Sequence, residues 1–478
     1  MKLSNRLLKH LSITKPDYDR NAVRPGIVHL GIGAFHRAHQ AVYVDDLLAS
    51  DPGWGIVGVS LRRPNTAKAL VPQDGLYTVI ERSQFRTDYR VIGSVIDTLV
   101  ASDERHDVLT AMARPETKIV SLTITEKGYC HDPATGQLNP RHPDIVADLA
   151  EPHCPRSAPG FLVEALRLRR EAGLCPFTVL SCDNLPSNGA TCRTAVLGFA
   201  ELLDSELAAW IADMVAFPCT MVDRIVPATV PQDKSVLMKD TGICDRWPVV
   251  TEPFRQWVIE DNFCAGRPAF EKVGAQLVFD VAPFETMKLR LLNGSHTALA
   301  CLGLLAGYET VSEAMADPKL ADFTRRLMSD EMGPTLSMPL DVDLAEYQDI
   351  LIGRFCNPAL QHRLIQIAAD TSQKLPQRIL EPLRERLAAD LPVDHLAVSI
   401  ASWIRLVSAR DCDGYRFELN DPQLAAVRGA AEGCGGDSSA LVAAILAQTS
   451  IFGVDLRHMD QLVRNMTAVL QDQGLSTS

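Results

Sequence analysis

The chain has 478 residues, 46% of them hydrophobic and 22% charged, which is the composition of a soluble globular protein. It is too long for one ordinary core, so two domains are expected. A net charge of -12 argues against a nucleic-acid partner, and no apolar run is long enough to span a membrane. The N-terminus, MKLSNRLLKHLSITKPDYDR, carries basic residues but not the continuous apolar core of a signal peptide. Twelve cysteines lie between Cys130 and Cys434 without a C-x-x-C pair, and neither they nor the histidines show metal-ligand spacing. These features predict a cytoplasmic protein with reduced thiols and no metal.

In chain order, short β-rich runs alternate with helical segments. GIVHLGIG (26–33) reads as a strand, AHQAVYVDDLLAS (38–50) as a helix and WGIVGVSL (54–61) as a strand. TKIVSLTIT (117–125) is a further strand, FLVEALRLRREAG (161–173) a helix and PFTVLSCDN (176–184) a strand. This alternation predicts an α/β domain of the Rossmann type, with a doubly wound, largely parallel sheet, over residues 1–281. Beyond it the runs LADFTRRLMSDEM (320–332), PALQHRLIQIAAD (358–370), PLRERLAADL (382–391), HLAVSIASWIRLVSA (395–409) and LVAAILAQT (441–449) all read as helices. Residues 282–478 are therefore expected to form a second, mostly α-helical domain.

The stretch IVHLGIGAFHRAHQ places Gly31 and Gly33 at a strand-to-helix junction. There the first glycine permits a tight turn and the second lets the backbone approach a pyrophosphate. The helix that follows offers its N-terminal amides, with Phe35, His36 and Arg37 in its first turn. His36 stands where the third glycine of the usual fingerprint belongs, and taken alone the pattern also fits an ordinary βα turn. At the end of the next strand the acidic residue that would hold the adenosine ribose is missing, and GVSLRRPN offers Arg62 and Arg63 instead. An arginine there suits a 2′-phosphate, so NADP stays open beside NAD; a solvated loop or an adenine-stacking surface fits as well.

Three polar islands interrupt later apolar runs. SCDNLPSNG (181–189) puts Asp183, Asn184 and Asn188 at the carboxyl end of a predicted strand, where open parallel sheets bind ligands. TMVDRIVPA (220–228) sets Asp223 beside Arg224, as a buried ion pair, an interdomain salt bridge or a substrate contact. MKLRLLNGSHTALA (287–300) carries Lys288, Asn293 and His296, with Glu285 just upstream. In a regular helix, at about 100° per residue, these four fall within an arc of roughly 140° and face one cavity. Desolvation favours the neutral form of an amine, which makes a buried lysine a general base near neutral pH. An amide can donate to a developing alkoxide, and an imidazole can orient a hydroxyl. From the helix alone, a snorkelling lysine, a kink at Asn293-Gly294 and a satisfied core histidine fit equally.

Together GIGAFHRAHQ, DGLYT (74–78), TITEKGY (123–129), CDNLPSNG, VDRIVP, EPFRQWVIEDNF (252–263) and KLRLLNGSH resemble, in order, the motifs of the long-chain polyol dehydrogenases. This is the family of mannitol 2-dehydrogenase and fructuronate reductase, or mannonate oxidoreductase. The most specific element is K-x-x-x-x-N-x-x-H downstream of C-D-N. The resemblance implies an NAD(P)-dependent enzyme that transfers hydride at CH–OH groups without a metal. It makes Lys288 the acid/base, Asn293 and Asn184 the holders of the reacting oxygen, and His296 a substrate ligand. Asp223 would contact substrate hydroxyls, and Glu285 would help move protons between Lys288 and solvent. A non-catalytic cofactor-binding protein is the contrasting class, and the intact Lys288, Asn184, Asn293 and His296 speak against it.

ADTSQKLPQR (369–378) resembles fructuronate reductases more than mannitol dehydrogenases. Lys374 matches a substrate-contacting lysine of the family, whereas Gln366 stands where mannitol dehydrogenases carry arginine, so that role does not carry over. Lys374 and Arg378 suit a uronate carboxylate, although charges solvated after a helix fit too. The expected reaction is reduction of D-fructuronate to D-mannonate. The alternative is a dehydrogenase of mannitol or another polyol such as arabinitol or sorbitol. A small sugar acid or polyol is thus the expected ligand, and both a monomer and a small homo-oligomer are compatible with the sequence.

Overall fold

Runs rich in valine and isoleucine, bounded by glycine or proline, become strands in the first half of the chain because β-branched side chains fit a pleated surface. The computed structural model describes residues 1–132, 135–339, 342–411, 414–435, 437–454, 456, 462, 464 and 466–468. They divide into two units, Met1–Ala282 and Pro283–Ser478. No helix among the described residues is long and apolar enough to cross a membrane.

The strands of the first unit are β1 (Pro25–Leu30), β2 (Gly55–Ser60), β3 (Tyr77–Arg82), β4 (Thr87–Ile92), β5 (Val95–Val100), β6 (Ile119–Leu122), β7 (Thr178–Ser181), β8 (Thr220–Asp223), β9 (Val249–Thr251), β10 (Gln256–Glu260) and β11 (Gln276–Val278). One parallel sheet has the order β5-β2-β1-β6-β7. Its strands β1, β2, β6 and β7 are the four runs expected from the sequence. Strand order reverses at β1, so the crevice at the carboxyl ends of β1 and β6 is the switch point where such sheets bind ligands. Two small mixed sheets, β11-β10-β8 and β4-β3-β9, complete the unit.

Period-two alternation divides the sheet's side chains between two cores. Val28, Leu30, Val57, Val59, Val120 and Leu122 pack with Phe161, Val196 and Phe199 from helices Ala158–Glu171 and Asn188–Leu203. Ile27, Ile56, Ile119 and Leu180 belong to the other core, with Tyr43, Leu47 and Trp257. The helix expected at 38–50 is interrupted. A five-residue helix, Ala34–Ala38, ends at His39, whose φ of −123° and ψ of −90° are not helical, and Gln40–Leu47 continues beyond it.

Among its described residues the second unit is mostly helical, with a short antiparallel pair of strands, β12 (Arg410–Asp411) and β13 (Gly414–Tyr415). Helices Glu381–Ala388, Asp394–Ser408 and Ser438–Leu446 overlap the expected runs and start one to three residues before them. The run 358–370 is not one helix. It holds a 3-10 turn at Pro358–Leu360 and a short helix at Leu364–Ile367. Between them Gln361 takes a φ of +50° and Arg363 bridges to Thr310.

Candidate active site

In the first unit the glycine turn is built by contacts to the neighbouring strand. Gly31 has a φ of +95°, and a Cβ there would sit 2.2 Å from the Thr123 carbonyl oxygen at the end of β6. Thr123 Oγ1 donates to the Gly31 carbonyl at 2.9 Å and also meets His29 Nε2 at 2.9 Å. Gly33 differs: its φ is −93° and a Cβ would find nothing closer than 3.7 Å. The space in front of Gly33 is therefore open, as close approach by a dinucleotide requires.

Phe35 is half-buried, with its ring 5.1 Å from that of His39. His36 is buried and stacks on His29 at 3.4 Å between ring centroids. Burial, helped by the charge of nearby Arg37, holds its imidazole well below the ordinary value, so the ring is neutral. Arg37 is also buried, and burial pushes its guanidinium down to about 10. It donates to the Trp247 and Gly33 carbonyls, while Tyr77 Oη donates to the Arg37 carbonyl at 2.7 Å. Arg62, expected as a cation open to the cofactor, is exposed but paired with Asp144 at 3.1 Å. The cause is the helix Pro143–Ala150, whose first turn brings the carboxylate to the end of β2.

The C-D-N-L-P-S-N-G motif divides into residues that shape a loop and one that the loop presents. Asp183 is buried and accepts the Ile124 and Thr125 amides at 3.0 and 2.8 Å and the Tyr129 hydroxyl at 2.7 Å. It thereby ties the loop after β6 to the end of β7. Asn188 donates to the Asp183 and Thr220 carbonyls, both at 2.8 Å, and accepts the Thr220 amide at 2.9 Å. A Cβ on Gly189 would lie 2.5 Å from the Phe217 carbonyl oxygen. Within this frame Asn184 is exposed. Asp223 and Arg224 are both buried. Arg224 pairs with Glu81 of β3 and donates to the Ala38 and Glu252 carbonyls, because strand alternation sends neighbouring residues to opposite faces.

In the second unit the run that carries the lysine is helical but not regular. An α-helix at Ala282–Met287 passes into a π-helical segment at Lys288–Gly294 and returns to an α-helix at Ser295–Leu305. The arc drawn at a constant angle per residue therefore does not apply. Lys288 and His296 are buried, whereas Glu285 and Asn293 are half-buried. His296 stacks on Phe355 at 4.2 Å, with the ring of His362 edge-on at 5.3 Å. Burial, with the charges of His362, Arg354 and Arg378 adding to it, holds His296 well below its ordinary value. Phe355 lies just before the run 358–370, which reads as a helix from sequence, and His362 lies inside it, so periodicity gave no signal for either; the run is broken at Gln361.

Arg378 reaches the same place. Its Nη1 donates to Thr297 Oγ1 at 3.1 Å and to the Asn293 carbonyl at 3.4 Å. No carboxylate pairs with it among the described residues, and burial pushes its guanidinium down to about 10. Gly294 makes this packing possible: a Cβ there would lie 2.9 Å from the Arg378 carbonyl oxygen. Lys374, expected as a substrate contact, is tied to the backbone. Its ammonium donates to the Ile367 carbonyl at 3.2 Å and the Ala369 carbonyl at 2.5 Å, satisfying the end of a short helix. Burial and the charge of Arg378 push its amine down to about 8. Gln366 is exposed.

A parallel switch-point sheet with a glycine turn, joined to a helical unit with a lysine, an asparagine and a histidine on one helical run, defines a nicotinamide-type oxidoreductase. Comparisons with known proteins agree. Residues 25–272 match the mannitol dehydrogenase Rossmann domain and residues 280–473 the mannitol dehydrogenase C-terminal domain. D-mannonate oxidoreductase of Escherichia coli strain K12 is 48% identical over 469 residues, covering 97% of this chain and 96% of its own. Mannitol 2-dehydrogenase of Aspergillus fumigatus is 44% identical, covering 99% and 96%. The solved Pseudomonas fluorescens mannitol 2-dehydrogenase, a ternary complex with NAD and D-mannitol, aligns with a TM-score of 0.86 at 40% identity, covering 99% of this chain and 98% of that one. The chain belongs to the mannitol dehydrogenase family, and it is an oxidoreductase acting on CH–OH groups.

Proposed function

We propose that the protein reduces D-fructuronate to D-mannonate with NADH, without a metal. The observation that carries the choice of substrate is Arg378. This largely desolvated guanidinium stands beside His296 with, among the described residues, only a carbonyl and a hydroxyl as partners. A uronate carboxylate would give it the charge-assisted, bidentate partner that an arginine fork accommodates. The nearby ammonium of Lys374 adds to the positive potential, although it is held by carbonyls.

Gly31, Gly33, Phe35, His36, Arg37 and Arg62 are the residues proposed to hold the cofactor, which when bound supplies or accepts the hydride. Gly33 leaves room for the pyrophosphate, while His36 and Arg37 support the turn from beneath. Lys288 exchanges the proton with the sugar oxygen, donating it in the reductive direction. Asn293 and Asn184 offer amide donors to the charge that develops on that oxygen. His296, neutral through burial, orients a substrate hydroxyl, and Asp223 contacts others. Glu285, one α-helical turn before Lys288, relays the proton to solvent.

Steady-state rates with fructuronate, tagaturonate and fructose, and with mannitol and arabinitol in reverse, test this reading against the polyol alternative. Fructuronate should give the highest kcat/KM. Arg378→Gln should lower it about 30-fold or more, the cost of removing one partner of a desolvated charge pair, and leave the slow turnover of fructose nearly unchanged. Equal rates on fructose and uronates, or equal loss on both in the variant, would remove the carboxylate argument.

A further inference from the structure

Beyond the residues proposed to hold cofactor and substrate, the first unit gathers a thiol, an imidazole and a carboxylate at one point. Ligand atoms of Cys130, His142 and Asp144 all lie within 4.8 Å of one another. Their sequence spacing matches no familiar metal motif, and the fold of one loop brings them together. After β6 the chain makes a 3-10 turn at Glu126–Tyr129, and then doubles back through a bridge between His131 and Leu138. The Asn139 amide donates to the Cys130 carbonyl at 2.9 Å and closes the loop. His142 then caps the helix Pro143–Ala150, its Nδ1 accepting the Asp144 amide at 3.2 Å.

We propose that Cys130, His142 and Asp144 form a binding site for a thiophilic divalent cation of the zinc class. Thiolate, imidazole and carboxylate are the donor set such ions prefer, and three protein ligands leave the fourth tetrahedral position to water. Zinc–ligand distances of about 2.0–2.3 Å place donors about 3.5 Å apart, so the three groups need to close by roughly 1 Å, within the reach of side-chain rotation. The thiol is buried, and binding as thiolate releases its proton to solvent. The thiolate and the carboxylate together neutralise the dication. Asp144 is also the partner of Arg62. Cation and guanidinium therefore compete for one carboxylate, and occupation of the site frees Arg62 at the carboxyl end of β2.

Titration of the full-length protein with Co²⁺ tests the site, because cobalt bound to thiolate gives a near-ultraviolet sulfur-to-metal charge-transfer band. The wild type should show the band saturating at one equivalent and reversed by Zn²⁺. Cys130→Ser should abolish it, His142→Gln should weaken binding about tenfold or more, and Arg62→Gln should tighten it. The histidine variant, at a half-buried surface position, serves as the test if the cysteine variant melts below the wild type. Absence of the band in the wild type, or its persistence undiminished in Cys130→Ser or His142→Gln, would overturn the proposal. So would cobalt binding unchanged in Arg62→Gln, for the competition part of it.

Discussion

Gly31 and Gly33 stand two residues apart in one turn, yet the structure gives them different reasons to lack a side chain. At Gly31 the backbone itself excludes alanine. A φ of +95° places a Cβ 2.2 Å from the main-chain oxygen of Thr123, an atom that cannot rotate away because β6 is hydrogen-bonded in the sheet centre. Strain at an unfavourable φ costs about 1–3 kcal/mol and overpacking against fixed atoms another 1–3, so Gly31→Ala should lose about 2–6 kcal/mol of stability. At Gly33 a methyl group meets nothing within 3.4 Å and φ is ordinary, so Gly33→Ala should stay within about 0.5 kcal/mol of the wild type. Its effect should fall on the cofactor instead. A methyl in the open space before the turn should weaken NADH binding tenfold or more, about 1.4 kcal/mol. Urea denaturation followed by tryptophan emission reports on the first unit, which contains Trp54, Trp210, Trp247 and Trp257, against Trp403 alone in the second. NADH fluorescence gives the affinity. If Gly33→Ala were as destabilising as Gly31→Ala, or bound NADH as tightly as the wild type, the division between a glycine required by the fold and one required by the ligand would be wrong.

Three further outcomes are expected. Lys288→Ala should lower kcat by about 10²–10⁴-fold while NADH affinity is unchanged; turnover within tenfold of the wild type would mean another group moves the proton. Asp183→Ala leaves two amides and the Tyr129 hydroxyl without their acceptor, and should cost about 3 kcal/mol or more in urea denaturation together with a fall in kcat as the loop that carries Asn184 loosens. In the second unit, the hydrogen bond to Glu331 raises His395 above the ordinary histidine value. A group raised on folding contributes stability that is full below its unfolded pKa of about 6.5 and is lost as pH rises through the folded value. Calorimetric melting of the second unit should therefore fall from slightly acid to alkaline pH, and His395→Gln should flatten that slope. Identical slopes would exclude the pair as its source.

The parallel sheet was legible because its strands are local: each of β1, β2, β6 and β7 is a short β-branched run that ends at a glycine or a polar cluster. β5 (Val95–Val100) carried Asp97 and Thr98 among its apolar residues, which blurred the run, and only pairing with β2 makes it a strand. Residue type singled out Lys288, Asn293 and His296, since an amine, an amide and an imidazole are costly inside apolar runs, whereas Arg378 came from the resemblance of 369–378 to fructuronate reductases. What the sequence could not supply was partnership. That Arg224 pairs with Glu81, that Arg62 pairs with Asp144, and that Lys374 caps backbone carbonyls all depend on segments far apart in the chain or on a helix ending early. The break at Gln361 was equally hidden, because a left-handed glutamine has no compositional signature.

The π-helical segment accounts for the spacing of the lysine motif better than any α-helix does. On an α-helix, neighbours on one face are three or four residues apart, and a spacing of five turns the second residue about 140° away from the first. Glu285 to Lys288 and Asn293 to His296 are both steps of three, each falling at or beside α-helical turns. Lys288 to Asn293 is a step of five, and it coincides with the segment Lys288–Gly294. There the main-chain bonds run from i to i+5 and so bring the fifth residue back above the first. The change from an α-helical to a π-helical period thus sets Lys288 and Asn293 closer in angle than the roughly 140° that one uniform α-helical period leaves between them. Pattern reading with a fixed 100° step puts the amine and the amide at the two edges of that arc; the wide turn narrows the separation, which suits the chemistry proposed for Lys288 and Asn293.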